Sequence, residues 1–195
     1  MLDLAVLGLL KEGDLHGYEL NKRLKSLVGG YANSYGALYP ALARLERRGW
    51  VSSTAVAPDI AIDEQAADGH ARRNRRRTTR SKSGRTRKVY QITVAGEDHL
   101  LELLQEDANN ERRFRLQLAF CRFLPPERRL ALFELRRAHL VSLQAMARRD
   151  PVQTNDPYVR SLFQRDQERR EHDLAWLDRL IADERANRPQ EPTDR

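Results

Sequence analysis

Ten Lys or Arg residues and no acid lie between positions 72 and 88 of a 195-residue chain whose net charge is +7. A polyanion rewards that density, because each phosphate met by a cation releases condensed counterions whatever the base sequence. Subtracting those ten charges leaves the rest of the chain at −3, so the basic surplus is local and not a general coat. Hydroxyl and ring chemistry gathers elsewhere. Tyr18 follows His16 and Gly17, and Tyr35 and Tyr39 stand four apart behind Ser34 and Gly36. On a helix that spacing puts both rings on one face. The helix start offers unpaired N–H groups and a positive dipole end to phosphate, and Gly36 permits close approach. Either tyrosine alone could equally well pack the helix against a neighbouring element. Arg44, Arg47 and Arg48 on the same stretch could reach phosphates, although helix cations usually face water.

The remaining reactive side chains do not assemble into a catalytic set. His16, His70, His99, His139 and His172 are scattered without metal-ligand spacing, and no glycine-rich phosphate loop follows a strand. Glu97 and His99 fall on opposite sides of a helix. No enzyme, cofactor or metal is expected. Cys121, the single cysteine, excludes a disulfide framework within the chain and points to a reducing, cytoplasmic setting. Lying among phenylalanines, it reads as a buried structural thiol. The apolar opening, interrupted by Asp3 and closed by Lys11 and Glu12, is too short to span a bilayer and has no basic leader, so no membrane partner is expected.

Among the elements that must carry these side chains, the spacing predicts a first helix over 2–11, stopped by Gly13 in a left-handed cap. A second helix is predicted to start at once, with Asp14 as cap, His16 to Tyr18 in its opening turn, Leu20, Leu24 and Leu27 on one face, and Gly29 and Gly30 at its close. The third begins at Asn33 or Ser34 and carries Leu38, Leu42 and Leu45 as far as Gly49. Pro40 inside it requires either a later start or a kinked turn. Residues 50–56 and 88–92 have strand composition and can pair as an antiparallel ribbon. Three helices followed by a ribbon is the winged-helix order. The stretch at 57–86 is acidic at first and then basic, far longer than an ordinary hairpin loop, and reads as a disordered insertion.

Beyond it, Thr93 caps a helix through Leu100, Leu101 and Leu104, and Asn109 and Asn110 break it. Phe114, Leu118 and Cys121 then share a face, with Phe120 and Phe123 beside it, until Pro125 and Pro126 open another helix to about Arg149. That helix presents Leu130, Phe133, Leu140, Leu143 and Met146. A last helix starts near Asp156 or Pro157 and carries Leu162, Phe163, Leu174, Leu177, Leu180 and Ile181. The fold class is therefore mainly α: a winged helix-turn-helix domain at 1–92, a helical region at 93–186, to which the family resemblance described next gives the role of a dimerisation region, and a flexible tail at 187–195.

The run from His16 through Leu20, followed by Ser34-Tyr35-Gly36-Ala37-Leu38-Tyr39-Pro40 and onward to Gly49-Trp50, resembles the PadR family of bacterial transcription regulators. Residues 88–96 are similar to that family's second wing strand and following helix, so the likeness covers nearly all of 2–104. It implies a homodimer on a pseudo-palindromic double-stranded DNA operator, with repression relieved by a small aromatic effector near the dimer interface. It implies DNA contacts by Tyr18, Ser34, Tyr35, Gly36, Tyr39 and Arg44, and by Arg85, Arg87 and Lys88 on the wing. Wings of this family are usually short, and the insertion at 57–86 departs from that pattern. Trp176, Phe114, Phe120 and Phe133 could line an effector cavity, although aromatic residues at helical spacing are more often plain core. The composition alone also allows an unspecific nucleoid-type DNA binder, or an adaptor that holds a protein through its C-terminal helices.

Overall fold

The computed structural model describes residues 1–28, 35–56, 87–107, 109–150 and 153–187. The predictions for Gly29, Gly30, Asn33, Ser34 and Arg85, for the insertion and for the tail beyond 187 lie outside them. The described part is mainly helical with one small sheet, in winged helix-turn-helix order.

Helix α1 (Leu2–Glu12) is the central rod. Seven consecutive residues, Leu4 to Leu10, are buried, as expected of a helix covered on all sides. Each of its enclosed leucines contributes about 2 kcal/mol of transfer free energy. Gly13 is close to fully extended (φ 159°, ψ 167°) and not left-handed, because the chain leaves α1 directly into a strand. That strand, β1 (Leu15–His16), displaces the predicted start of the second helix. Helix α2 (Gly17–Val28) opens two residues later than a cap at Asp14 requires, and the Asp14 carboxylate instead accepts a hydrogen bond from Gln91 Nε2.

Helix α3 (Tyr35–Arg47) runs through Pro40 and buries Leu38, Ala41, Leu42 and Leu45. Its end is a Schellman motif: Trp50 N donates to Leu45 O (3.0 Å) and Gly49 N to Glu46 O (2.9 Å). Gly49 takes the left-handed conformation this motif requires (φ 73°). Strands β2 (Val51–Val56) and β3 (Arg87–Ile92) pair antiparallel with Val51 opposite Ile92. Strand β1 adds to the other edge of β3, Leu15 opposite Tyr90, giving the order β1-β3-β2.

Helix α4 (Val94–Gln105) is capped by Thr93, whose Oγ1 accepts from Gly96 N (3.1 Å) and donates to Gly49 O (2.6 Å). Gly96 lies so close to the α3–β2 turn that a Cβ there would stand 2.0 Å from the Trp50 carbonyl oxygen. Helix α5 (Glu111–Phe120) is capped by Asn110. It ends at Phe120, and Cys121–Phe123 form a single 3-10 turn. The buried α5 side chains are Phe114, Leu116, Gln117 and Phe120, whereas Leu118 and Cys121 are half-buried. Phe120 lies flat on Gly8 of α1, where a Cβ would meet its ring at 2.5 Å.

Helices α6 (Pro126–Arg149) and α7 (Pro157–Ala186) form an antiparallel pair, with Asp156 capping the second. Arg129 to Glu184 (2.7 Å), Arg185 to Glu134 (2.6 Å) and Arg137 to Asp178 link them. Leu132, Phe133, Leu140, Leu177 and Ile181 are enclosed. Leu143, Met146, Leu162 and Phe163, read as apolar-face residues from their spacing, are exposed in the single chain because nothing in the described residues reaches that end of the pair. Among the described residues, no helix is long and apolar enough to cross a membrane.

Candidate nucleic-acid interface

The side of α3 turned away from the core carries Gly36, Tyr39, Pro40, Ala43 and Arg47, all exposed. Pro40 lacks the N–H that would bond the Gly36 carbonyl, so this ridge keeps one helical acceptor free of its usual donor. Tyr39 is about half exposed. Its hydroxyl stands 3.2 Å from where a Cβ on Gly17 would be, so the absence of a side chain at Gly17 lets the ring lie against the start of α2. It therefore packs against α2 while leaving about half of its side chain open. Tyr18, on the first turn of α2, is 67% exposed. It is not the core tyrosine that its ring alone would suggest. Tyr35 opens α3.

The cations are more constrained than the sequence implies. Arg44 Nη2 bonds Asp3 Oδ1 on α1. Arg47 Nε donates to the Ala43 carbonyl (3.3 Å), and the Arg48 guanidinium lies 4.8 Å from the centre of the Trp50 ring. Lys88, exposed on β3, has its Nζ 3.8 Å from Glu46 Oε1 on α3. Arg87 sits opposite Val56 at the open end of the ribbon. The structure thus sets Tyr39 of the α3 ridge against the start of α2, where Tyr18 is exposed, and answers Arg44 and Lys88 with Asp3 and Glu46. Sequence reasoning missed the acids Asp3 and Glu46, since pairing across 41 or 42 positions leaves no local signal.

Behind the ridge, Trp50 stacks on His99 of α4 with ring centres 3.6 Å apart, and His99 Nδ1 lies 2.9 Å from Glu102. With the Thr93 bonds this fixes the turn between α3 and the wing to α4. Tyr90, buried in the sheet, has its phenol pushed up from the ordinary value by burial first, then by Glu46 and Tyr39. Burial likewise pushes the Cys121 thiol up, against an opposing Arg129, which is the reverse of an activated nucleophile. Among the described residues, no three His, Cys, Asp or Glu side chains gather as a metal site. Phe114, Phe120 and Phe133 are closed into the core, and Trp176 is half-buried, edge-on to Phe114 at 6.5 Å.

Residues 6–59 match the model of the transcriptional regulator PadR-like family. The chain is similar to solved structures of Bacillus subtilis PadR. With the form in complex with operator DNA it shares 22% identity over 93% of this chain and 96% of that one, at a TM-score of 0.39. With the form in complex with p-coumaric acid it shares 23% identity over 94% and 98%, at a TM-score of 0.37. A PadR-like transcriptional regulator from Bacillus cereus is 16% identical over 96% of this chain and 100% of its own, at a TM-score of 0.37. No curated protein matches the chain significantly by sequence.

Proposed function

From a chain that carries a PadR-like transcriptional regulator domain at residues 6–59, we propose a sequence-specific, homodimeric repressor that binds double-stranded DNA through α3. The supporting observation is the exposed α3 ridge that carries the half-open Tyr39, with the exposed Tyr18 in the first turn of α2 and a β2–β3 wing that leads in sequence to the basic run. We assign base or phosphate contacts to Tyr18, Ser34, Tyr35, Gly36, Tyr39 and Arg44, and backbone contacts to Arg85, Arg87 and Lys88. Residues 1–92 form the reading domain in this scheme, and 93–186 the pairing region, joined through α4. The exposed Leu143, Met146, Leu162 and Phe163 supply an apolar face for a second copy. A twofold pair would set its recognition helices about 34 Å apart, hence half-sites one turn apart in a pseudo-palindrome.

Relief by a small aromatic effector completes the reading, with the half-buried Trp176, edge-on to the enclosed Phe114, as the aromatic residue most open to it. The compound to try first is p-coumaric acid, which the B. subtilis protein holds. Competition at physiological salt tests the reading. The chain should prefer its own upstream region over unrelated DNA by at least about a thousandfold, and equal affinity for both would make it an unspecific binder.

A further inference from the structure

Arg44 stands on the flank of α3, between the buried Leu38, Leu42 and Leu45 and the open ridge of Gly36, Tyr39, Pro40, Ala43 and Arg47. Its Nη2 is bonded to Asp3 in the first turn of α1, where the positive end of that helix favours a carboxylate. The Asp3 side chain is 23% exposed and that of Arg44 41%. The pair is thus anchored on the core side and open on the other. Neither Arg44 Nε nor Nη1 bonds another described residue, so the guanidinium keeps a donor edge directed away from Asp3.

A free arginine on a recognition helix behaves as a mobile cation that rewards any phosphate. One whose charge is answered by a carboxylate loses much of that indiscriminate attraction. Its planar fork, already ordered, also gives up less freedom when it meets a fixed partner such as a guanine edge. We infer that Asp3 is a positioning residue that orients and neutralises Arg44, so that the flank of α3 reads DNA sequence in place of adding unspecific affinity. The inference rests on α3 being the reading helix.

The test uses the 195-residue chain, a duplex enriched from a random pool by selection on that chain, and a scrambled duplex of equal length. For Asp3→Asn, binding to scrambled DNA should tighten several-fold, and the log–log salt slope should steepen by about 0.9, the value of one added phosphate contact. The preference for the selected duplex should narrow. Asp3→Glu should restore the parent preference, and in an Arg44→Gln background Asp3→Asn should leave the slope unchanged. An Asp3→Asn protein that keeps both the parent slope and the parent preference overturns the inference, as does equal steepening in the Arg44→Gln background. Should Asp3→Asn fold poorly, the Arg44→Gln and Asp3→Glu arms still decide: unaltered discrimination in Arg44→Gln refutes a reading role for the pair. A selection that enriches no sequence removes the DNA-reading function itself, a separate outcome visible before any variant is made.

Discussion

The α3–β2 turn and the far end of the α6–α7 pair treat their large side chains in opposite ways. At the turn the chain is held by close contacts. Gly96 touches the Trp50 carbonyl, Thr93 bonds Gly49, and His99 lies flat on Trp50. At the end of α6 and α7, Leu143, Met146, Tyr158, Leu162 and Phe163 are each at least 40% exposed. The described winged-helix residues enclose a core within one chain, whereas the helical pair leaves an apolar face exposed, the face that the proposed dimer would cover.

The most damaging way to sharpen this contrast is Gly96→Ala. Its Cβ would enter the space of a backbone oxygen, which cannot rotate aside, so unfolding titrations should show a loss of about 3 kcal/mol. Gly8→Ala meets only a ring, that of Phe120, and should cost about 1–3 kcal/mol. A Gly96→Ala protein as stable as the parent would mean the turn is not closed as described.

At the other end, the paired change Leu162→Asp and Phe163→Asp should scarcely alter the protomer's stability, within about 0.5 kcal/mol if the positions are open in the single chain. It should nevertheless convert a dimer to a monomer in sedimentation at micromolar concentration. A large fall in stability without change of mass would place those side chains in the protomer core and cancel the contrast.

Much of the fold was legible because its determinants are local. Leucine spacing gave α2 and α3, Gly49 gave the end of α3, and Thr93 and Pro126 marked the starts of later helices. What was not legible is non-local. Strand β1 has two residues and exists only because the edge of β3 accepts it, so His16 read as helix. Asp14 was free to cap α2 in sequence terms, but Gln91, 77 positions away, claims it. Periodicity identified Leu143, Met146, Leu162 and Phe163 as apolar positions and could not say whether their own chain covers them. In the interface the tyrosines were visible from spacing, whereas the acids that hold Arg44 and Lys88 were not.

Smaller effects probe the closed region further. Thr93→Ala removes both the cap of α4 and the bond to Gly49, and should cost about 1 kcal/mol by thermal or chemical unfolding. Cys121 lies at the joint between α5 and α6, and its folded thiol titrates above the ordinary value through burial. The native chain therefore holds the proton where the unfolded chain releases it. The associated stability is present below the ordinary thiol pKa and is lost as pH rises through the raised one. Iodoacetamide at mildly alkaline pH should modify the native thiol more slowly than the unfolded one, and equal rates would show an open site.

In the proposed interface Tyr39 of the α3 ridge and Tyr18 of α2 meet DNA. Footprinting of the selected duplex with a Tyr18→Ala, Tyr39→Ala chain of native circular dichroism and native mass tests it most directly. Loss of protection at concentrations where the parent protects both half-sites is the expected result. Full protection by that folded double variant would show that DNA is held by another surface.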